Sequence, residues 1–145
     1  MKKILFLVLL ISCLFAVSHP AQAQESLYKR LGGYDAISAV TDDFIMRLAT
    51  NKDLSRFFAG ASDDSKKKIR QHIVDFLCNA SGGPCAYTGR TMKDSHHGLN
   101  ISESDWTITA GLLGETLNKF KVPKQEQQEL FSLVTSLKND IVEKK

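Results

Sequence analysis

The chain has 145 residues, of which 43% are hydrophobic and 24% charged, with a formal net charge of +3. That length is enough for one domain with a real core. The small positive charge rests largely on the N-terminus, so it gives no argument for a nucleic-acid partner.

At the N-terminus, Lys2 and Lys3 precede an apolar run from Ile4 to Val17, and Ala21-Gln22-Ala23 closes a small-x-small pattern. This is the layout of a secretory signal peptide. The apolar run is shorter than the roughly 20 residues of a membrane-spanning helix. The expectation is that residues 1–23 are cleaved and that 24–145 form a single exported domain, periplasmic or secreted, with no membrane span. Cys13, at the end of Leu10–Cys13, leaves a lipid anchor as an alternative, although the apolar run continues past it. Removing Lys2 and Lys3 from 19 basic residues leaves 17 against 16 acidic ones. The mature chain keeps two cysteines, Cys78 and Cys85, and three histidines, His72, His96 and His97.

The mature chain reads as helices, with no alternating Val/Ile/Thr-rich run long enough for a strand. Ser26 to Leu31 predicts a short helical turn, stopped by Gly32-Gly33. From Tyr34 to Ala49, Ile37, Val40, Phe44 and Leu48 recur at the spacing of one helical face. Leu54 to Phe58 is a short apolar turn. Ser62 is a candidate cap for a helix with acids in its first turn and an apolar face of Ile69, Ile73, Phe76 and Leu77. Gly82-Gly83-Pro84 ends that helix. A loop with Tyr87, Thr88 and Gly89 leads into a short segment carrying Met92, His96 and His97. Ser102 and Asp105 form a capping-box pattern for a helix reaching about Phe120, with Trp106, Thr109, Leu112 or Leu113, and Leu117 inward. Pro123 suits the first turn of a last helix, with Leu130, Leu133, Val134, Leu137 and Ile141 as its face. The expected class is all-α, with four substantial helices and several short pieces. Asp42-Asp43 and Asp63-Asp64 read as helix-end charges on solvated faces, and no nucleophile–base pair is visible.

Two pairs of residues carry chemistry. Cys78 and Cys85 would lie about 10.5 Å apart along one continuous helix, too far for a disulfide. The Gly82-Gly83-Pro84 break lets the chain fold back, and an oxidising compartment favours a bond. Two free thiols are the alternative. His72 shares a helical face with Ile69 and Phe76 and therefore points toward the interior or a pocket. It is either a hydrogen-bonded core histidine or a ligand. His96 shares a face with Met92, four residues before it, whereas His97 shares one with Lys93. Phe44, Phe57, Phe58, Phe76 and Trp106 either fill the core or wall a flat apolar cofactor. Imidazole suits iron, zinc and copper alike, and no C-x-x-C-H attachment motif is present.

The motifs "LYKRLGGYDAI", "DDFIMRL", "DLSRFF", "GGPCAYTGRTMKDSHHGLNI" and the "VP" before the last helix occur in an order and spacing that resemble the group I truncated haemoglobins, small bacterial, cyanobacterial and algal globins. The resemblance covers Ser26 to about Val142. It implies a two-over-two helical sandwich around non-covalent haem b. It also implies that His96, four residues after Met92, is the proximal iron ligand, in agreement with the facing argument. His97 falls where the family does not require histidine, on a solvated or propionate-side position. Phe58 matches the phenylalanine that packs flat on the haem. Tyr87 and Thr88 match the loop before the proximal helix. Met92, Trp106 and Leu113 match pocket-lining positions, and Phe44, Ile69, Ile73 and Phe76 complete the expected pocket. Lys93, or one of Lys66, Lys67 and Lys68, is within reach of a propionate.

The distal side departs from the family. Most members place a ligand-binding tyrosine where this chain has Ile45, and many carry glutamine where it has Ile69 or Ile73. His72 falls where some cyanobacterial members carry a distal histidine that binds the iron. It is expected either to be the sixth iron ligand or to donate a hydrogen bond to a bound gas. The first is favoured, because an unpaired imidazole among isoleucines costs about 1–3 kcal/mol.

The resemblance implies a protein that binds O2, NO or CO, acts as a monomer and relies on an electron donor that the sequence does not name. NO oxidation occurs in the family, and a peroxidase-like side reaction is conceivable, but the sequence does not decide whether the chain is an enzyme. A haem electron-transfer or redox-sensing protein is the alternative. A zinc or copper site from His72, His96 and a cysteine is less favoured, because the spacing fits no compact ligand motif, and a purely structural helical domain ranks with it.

Overall fold

The computed structural model describes residues 25–144, so the expected signal peptide, its cleavage site and Cys13 lie outside the described residues. The elements in order are α1 (Leu27–Arg30), α2 (Gly33–Thr50), a 3-10 turn (Ser55–Phe58), α3 (Asp63–Ala80), α4 (Met92–His96), α5 (Glu103–Lys119), α6 (Lys124–Ser136) and α7 (Lys138–Ile141). Among the described residues, only an isolated bridge between Ser102 and Lys144 has β character. No helix there is long and apolar enough to cross a membrane.

The helix starts follow their caps. The Ser26, Ser62 and Ser102 hydroxyls accept from Lys29 N, Ser65 N and Asp105 N. The Asp105 carboxylate returns a bond to Ser102 N, which completes the capping box. Between α1 and α2 the chain turns through Gly32 at φ 94°, where an added Cβ would also lie 2.9 Å from that of Ala36. That turn requires glycine.

α2 packs on α3 and on α5, and α4 packs on α7. Leu113 and Leu117 of α5 meet Leu130 of α6, and Val40, Phe44, Leu77, Phe131 and Val134 pack around them. The result is α2 and α3 laid over α5 and α6, two helices over two.

Three expectations need correction. Asp43, expected on a solvated face, is buried at 7% exposure, because Arg47 and Lys119 reach in to pair with it and the Thr116 hydroxyl donates to it at 3.2 Å. Asp42 does stay at the surface, paired with Arg70 at 2.5 Å. The last helix is not continuous. It closes at Leu137 with a 3-10-type bond from Leu137 N to Val134 O, and α7 restarts at Lys138 in a direction that brings it against α4. Pro123 sits one position earlier than expected, as the N-cap of α6 with extended ψ.

After α3, the glycine break reverses the chain. Gly83 N donates to Cys78 O at 2.8 Å, and Asn79 Nδ2 donates to Cys85 O at 2.9 Å. An added Cβ on Gly83 would lie 2.5 Å from Tyr28 and 2.8 Å from the Cys78 sulfur, so only glycine fits. Cys78 and Cys85 are paired across this reversal, with Cα atoms 5.8 Å apart.

Candidate functional site

α4 is five residues long and could not persist alone. Thr91 caps it, accepting from Asp94 N at 3.0 Å and donating to the Asp94 carboxylate at 2.7 Å. The cap directs the single turn that carries Met92 and His96 on one face. The Nδ1 of His96 lies 2.7 Å from Met92 O. A carbonyl only accepts, so Nδ1 carries the proton and donates it. In the neutral ring this leaves the Nε2 lone pair free, which is the tautomer a metal-ligating imidazole needs. His97 closes the helix, stands exposed, and has its Nδ1 3.4 Å from the Glu143 carboxylate. The structure thus separates the adjacent histidines as the facing argument expected.

α3 carries His72 and the apolar face expected around it. Its core-facing side chains are Val74 and Cys78, both fully buried. The face anticipated as inward is not covered by protein. Ile69 is 37% exposed, His72 is exposed, and Ile73 and Phe76 are only half-buried. α3 makes no close helix pairing with α4 or α5. The uncovered apolar face continues into the loop, where Tyr87 stands edge-on to Phe76 at 5.4 Å and to His72 at 6.2 Å between ring centroids. The Tyr87 hydroxyl donates to Arg90 O at 2.6 Å, which fixes the ring.

The remaining expected residues differ in burial. Ile45, Phe58, Met92 and Trp106 are half-buried, and Lys93 is exposed. Leu113 belongs to the core cluster with Leu117 and Leu130, and Phe44 packs against that cluster. Among the described residues no three of His, Cys, Asp and Glu gather as a metal-binding group. The partly exposed apolar side chains of α3, Tyr87 beside them and the backbone-held imidazole of His96 are residues that would hold a flat apolar cofactor.

Two anchoring groups escaped the sequence reading. Asp105, buried, takes Arg56 Nη2 at 2.7 Å, tying the 3-10 turn of Phe57 and Phe58 to the start of α5. Burial pushes the Asp105 carboxyl up, but the bonds from Ser102 and Arg56 outweigh it and leave the carboxyl below its ordinary range. Glu143 accepts Gly98 N at 2.8 Å and Asn100 N at 2.6 Å, and those amides, with His97 beside them, hold its carboxyl below the ordinary range. Arg56–Asp105 had a partial signal in the capping box. Glu143 had none.

The bacterial-like globin family matches residues 26–143. The group 1 truncated haemoglobin GlbN of Nostoc sp. is 35% identical over 119 residues, covering 82% of this chain and 98% of its own. That of Mycolicibacterium paratuberculosis is 32% identical over 116 residues, covering 80% and 83%. Among solved structures, the 2/2 haemoglobin of Synechococcus sp., in the cyanomet state with covalently attached haem, superposes with a TM-score of 0.73 at 27% identity, covering 81% of this chain and 98% of that one.

Proposed function

Because the chain belongs to the bacterial-like globins, among their group 1 truncated haemoglobins, we propose that it is an exported haem protein for diatomic gases, holding its iron between His96 and His72. As a member of this family it binds haem b and small gas ligands. When bound, the group would supply an iron centre that a histidine and a small gas can ligate.

The chain's own residues do the rest. His96 is the proximal ligand, and the observation that carries this assignment is its Nδ1–Met92 O bond, which leaves Nε2 to coordinate. Ile69, Ile73 and Phe76 supply the apolar wall, and Tyr87 orders the loop beside them. Ile45, Ile69 and Ile73 have no hydrogen to donate, so His72 is the one polar side chain offered from the distal helix face. Its position among them supports ligation of the iron when no gas is present.

A second reading, electron transfer or redox sensing, is favoured by the same apolar residues. With His72 committed to the iron, the pocket keeps no donor to stabilise a bound gas. Residues 24–145 are the mature domain in this proposal, and Cys78–Cys85 is oxidised in the exported protein.

Optical spectra of the ferric, ferrous and CO-exposed protein test the reading, and a Soret band is required. His96→Ala should lose haem while His97→Ala retains it, and the reverse result would overturn the proximal assignment. N-terminal mass spectrometry of exported protein should begin at Gln24.

A further inference from the structure

The C-terminal tail ends on the turn that leaves His96. Glu143 N and Lys144 N both donate to Ile101 O, at 2.9 and 3.1 Å, and Glu103 N donates to Lys144 O at 3.2 Å. The tail therefore runs beside residues 101–103 as a short parallel strap, with Ser102 and Lys144 bridged. Lys138 of α7 adds an ion pair to Glu103 at 2.6 Å.

The side chain at the end of this strap is placed differently from its backbone. The two carboxylate oxygens of Glu143 are divided between two amides, Oε1 taking Gly98 N at 2.8 Å and Oε2 taking Asn100 N at 2.6 Å. These amides converge because the backbone is left-handed at both residues, with φ of 81° at Gly98 and 55° at Asn100. A non-glycine residue such as Asn100 holds that conformation at a cost. Alternating amides turned to one side form a concave anion site, and Glu143 fills it from within the same chain.

The geometry points to Glu143 as a positioning residue for His96, clasping the turn that follows the histidine so that the C-terminal tail sets how the imidazole is held. This inference rests on the proximal assignment of His96. α4 has a single turn, so besides its packing on α7 and the Met92 carbonyl, its histidine depends on how the two ends of the turn are held. Thr91 holds the entry, through Asp94 and through Ser95 Oγ, which donates to Thr91 O at 2.8 Å. At the exit, His97 N and Leu99 N bond back to Lys93 O and His96 O. Glu143 is the group from a distant part of the chain that ties this exit to the body of the protein. It reaches Gly98 across 45 positions of sequence and Asn100 across 43. Groups hydrogen-bonded directly to a ligating histidine change metal affinity by roughly 10–100-fold when removed, and Glu143, which acts through the turn, is expected at the lower end of that range.

The test uses the full chain loaded with haem b, as wild type, Glu143→Ala and Glu143→Gln. The amide of Glu143→Gln keeps one acceptor and turns a donor toward the second amide, so it should lie between the other two. Two quantities are read: the rate of haem transfer to excess apomyoglobin, and the iron–histidine stretching band by resonance Raman immediately after photolysis of the CO complex. Expected are roughly 10-fold faster haem loss and a shifted or broadened band in Glu143→Ala, with intermediate values in Glu143→Gln. The band reports strain at the imidazole, which a loss of global stability alone would not move. Haem loss within about twofold of wild type with an unmoved band overturns the inference. If Glu143→Ala does not fold, as judged by circular dichroism, Glu143→Gln decides on the same two readouts. Failure of the wild type to take up haem would instead overturn the haem reading itself.

Discussion

His72 stands on the uncovered face of α3, edge-on to Tyr87, with no hydrogen-bond partner as close as the carbonyl that holds His96. That difference separates the two imidazoles: the backbone carbonyl of Met92 holds His96, whereas His72 stands exposed beside Tyr87. His72→Ala should therefore convert sharp, split visible bands of the ferrous, gas-free protein into a broad band. Survival of the sharp bands in the variant would remove His72 from the iron. Asp43 shows the opposite use of a charged group. Hydrogen bonds from Arg47 and then Lys119 lower its carboxyl from 3.8 to about 2. A carboxylate whose pKa is lowered on folding stabilises the fold above its unfolded value and loses that contribution as pH falls toward the folded one. Its contribution should fade between pH 3.8 and about 2. Asp43→Asn should lower the melting temperature at pH 7 and flatten its fall through that window. Equal slopes for variant and wild type would show that Asp43 contributes nothing to acid unfolding.

At the scale of elements, the reversal after α3 links the distal helix to the loop that carries Tyr87 and then α4. Cys78 is fully buried at the last turn of α3, and Cys85 enters the loop two residues before Tyr87. Closing a loop between residues with a sequence separation of 7 restricts the unfolded chain. The expected contribution is roughly 2–3 kcal/mol. Cys78→Ala with Cys85→Ala should lower urea-unfolding stability by that amount, and thiol counting in denaturant should find none in freshly exported wild type. Two reactive thiols would refute the bond. The helix starts were legible because caps are local: Ser62, and Ser102 with Asp105, needed only their next three residues. The break at Leu137 was not. Leu137 and Ile141 continue the apolar spacing of α6, so the pattern alone extends the helix. The fold breaks it because α7 must turn to reach α4.

Across the whole molecule, the core lies to one side. Leu113, Leu117 and Leu130 are sealed between α2, α5 and α6, while on the outer face of α3 Ile69 is exposed and Ile73 and Phe76 are only half-buried. Apolar surface left partly exposed in this way makes the fold more stable when a ligand that binds only the folded state covers it. A ligand at 100 times its dissociation constant adds about 2.7 kcal/mol. The haem-loaded protein should melt well above the haem-depleted one, and the gap should shrink in His96→Ala. Identical melting curves would mean that the uncovered face is not the cofactor's wall.

The residue sequence by itself determined the helical class, most helix boundaries, the separate facing of His96 and His97, and the family, because each rests on spacing within a few turns of chain. The glycine break also showed that Cys85 could fold back toward Cys78, with two free thiols left as the alternative. What only the tertiary structure decided depends on partners far away in sequence. Asp43 is held inside by Lys119 at the end of α5, 76 positions on. The α3 face remains open because of where α4 and α5 are not. The turn after His96 is clasped by Glu143, 45 positions beyond Gly98. No periodicity signals such contacts, because a carboxylate at a chain end reads as solvated until the fold places two convergent amides in front of it.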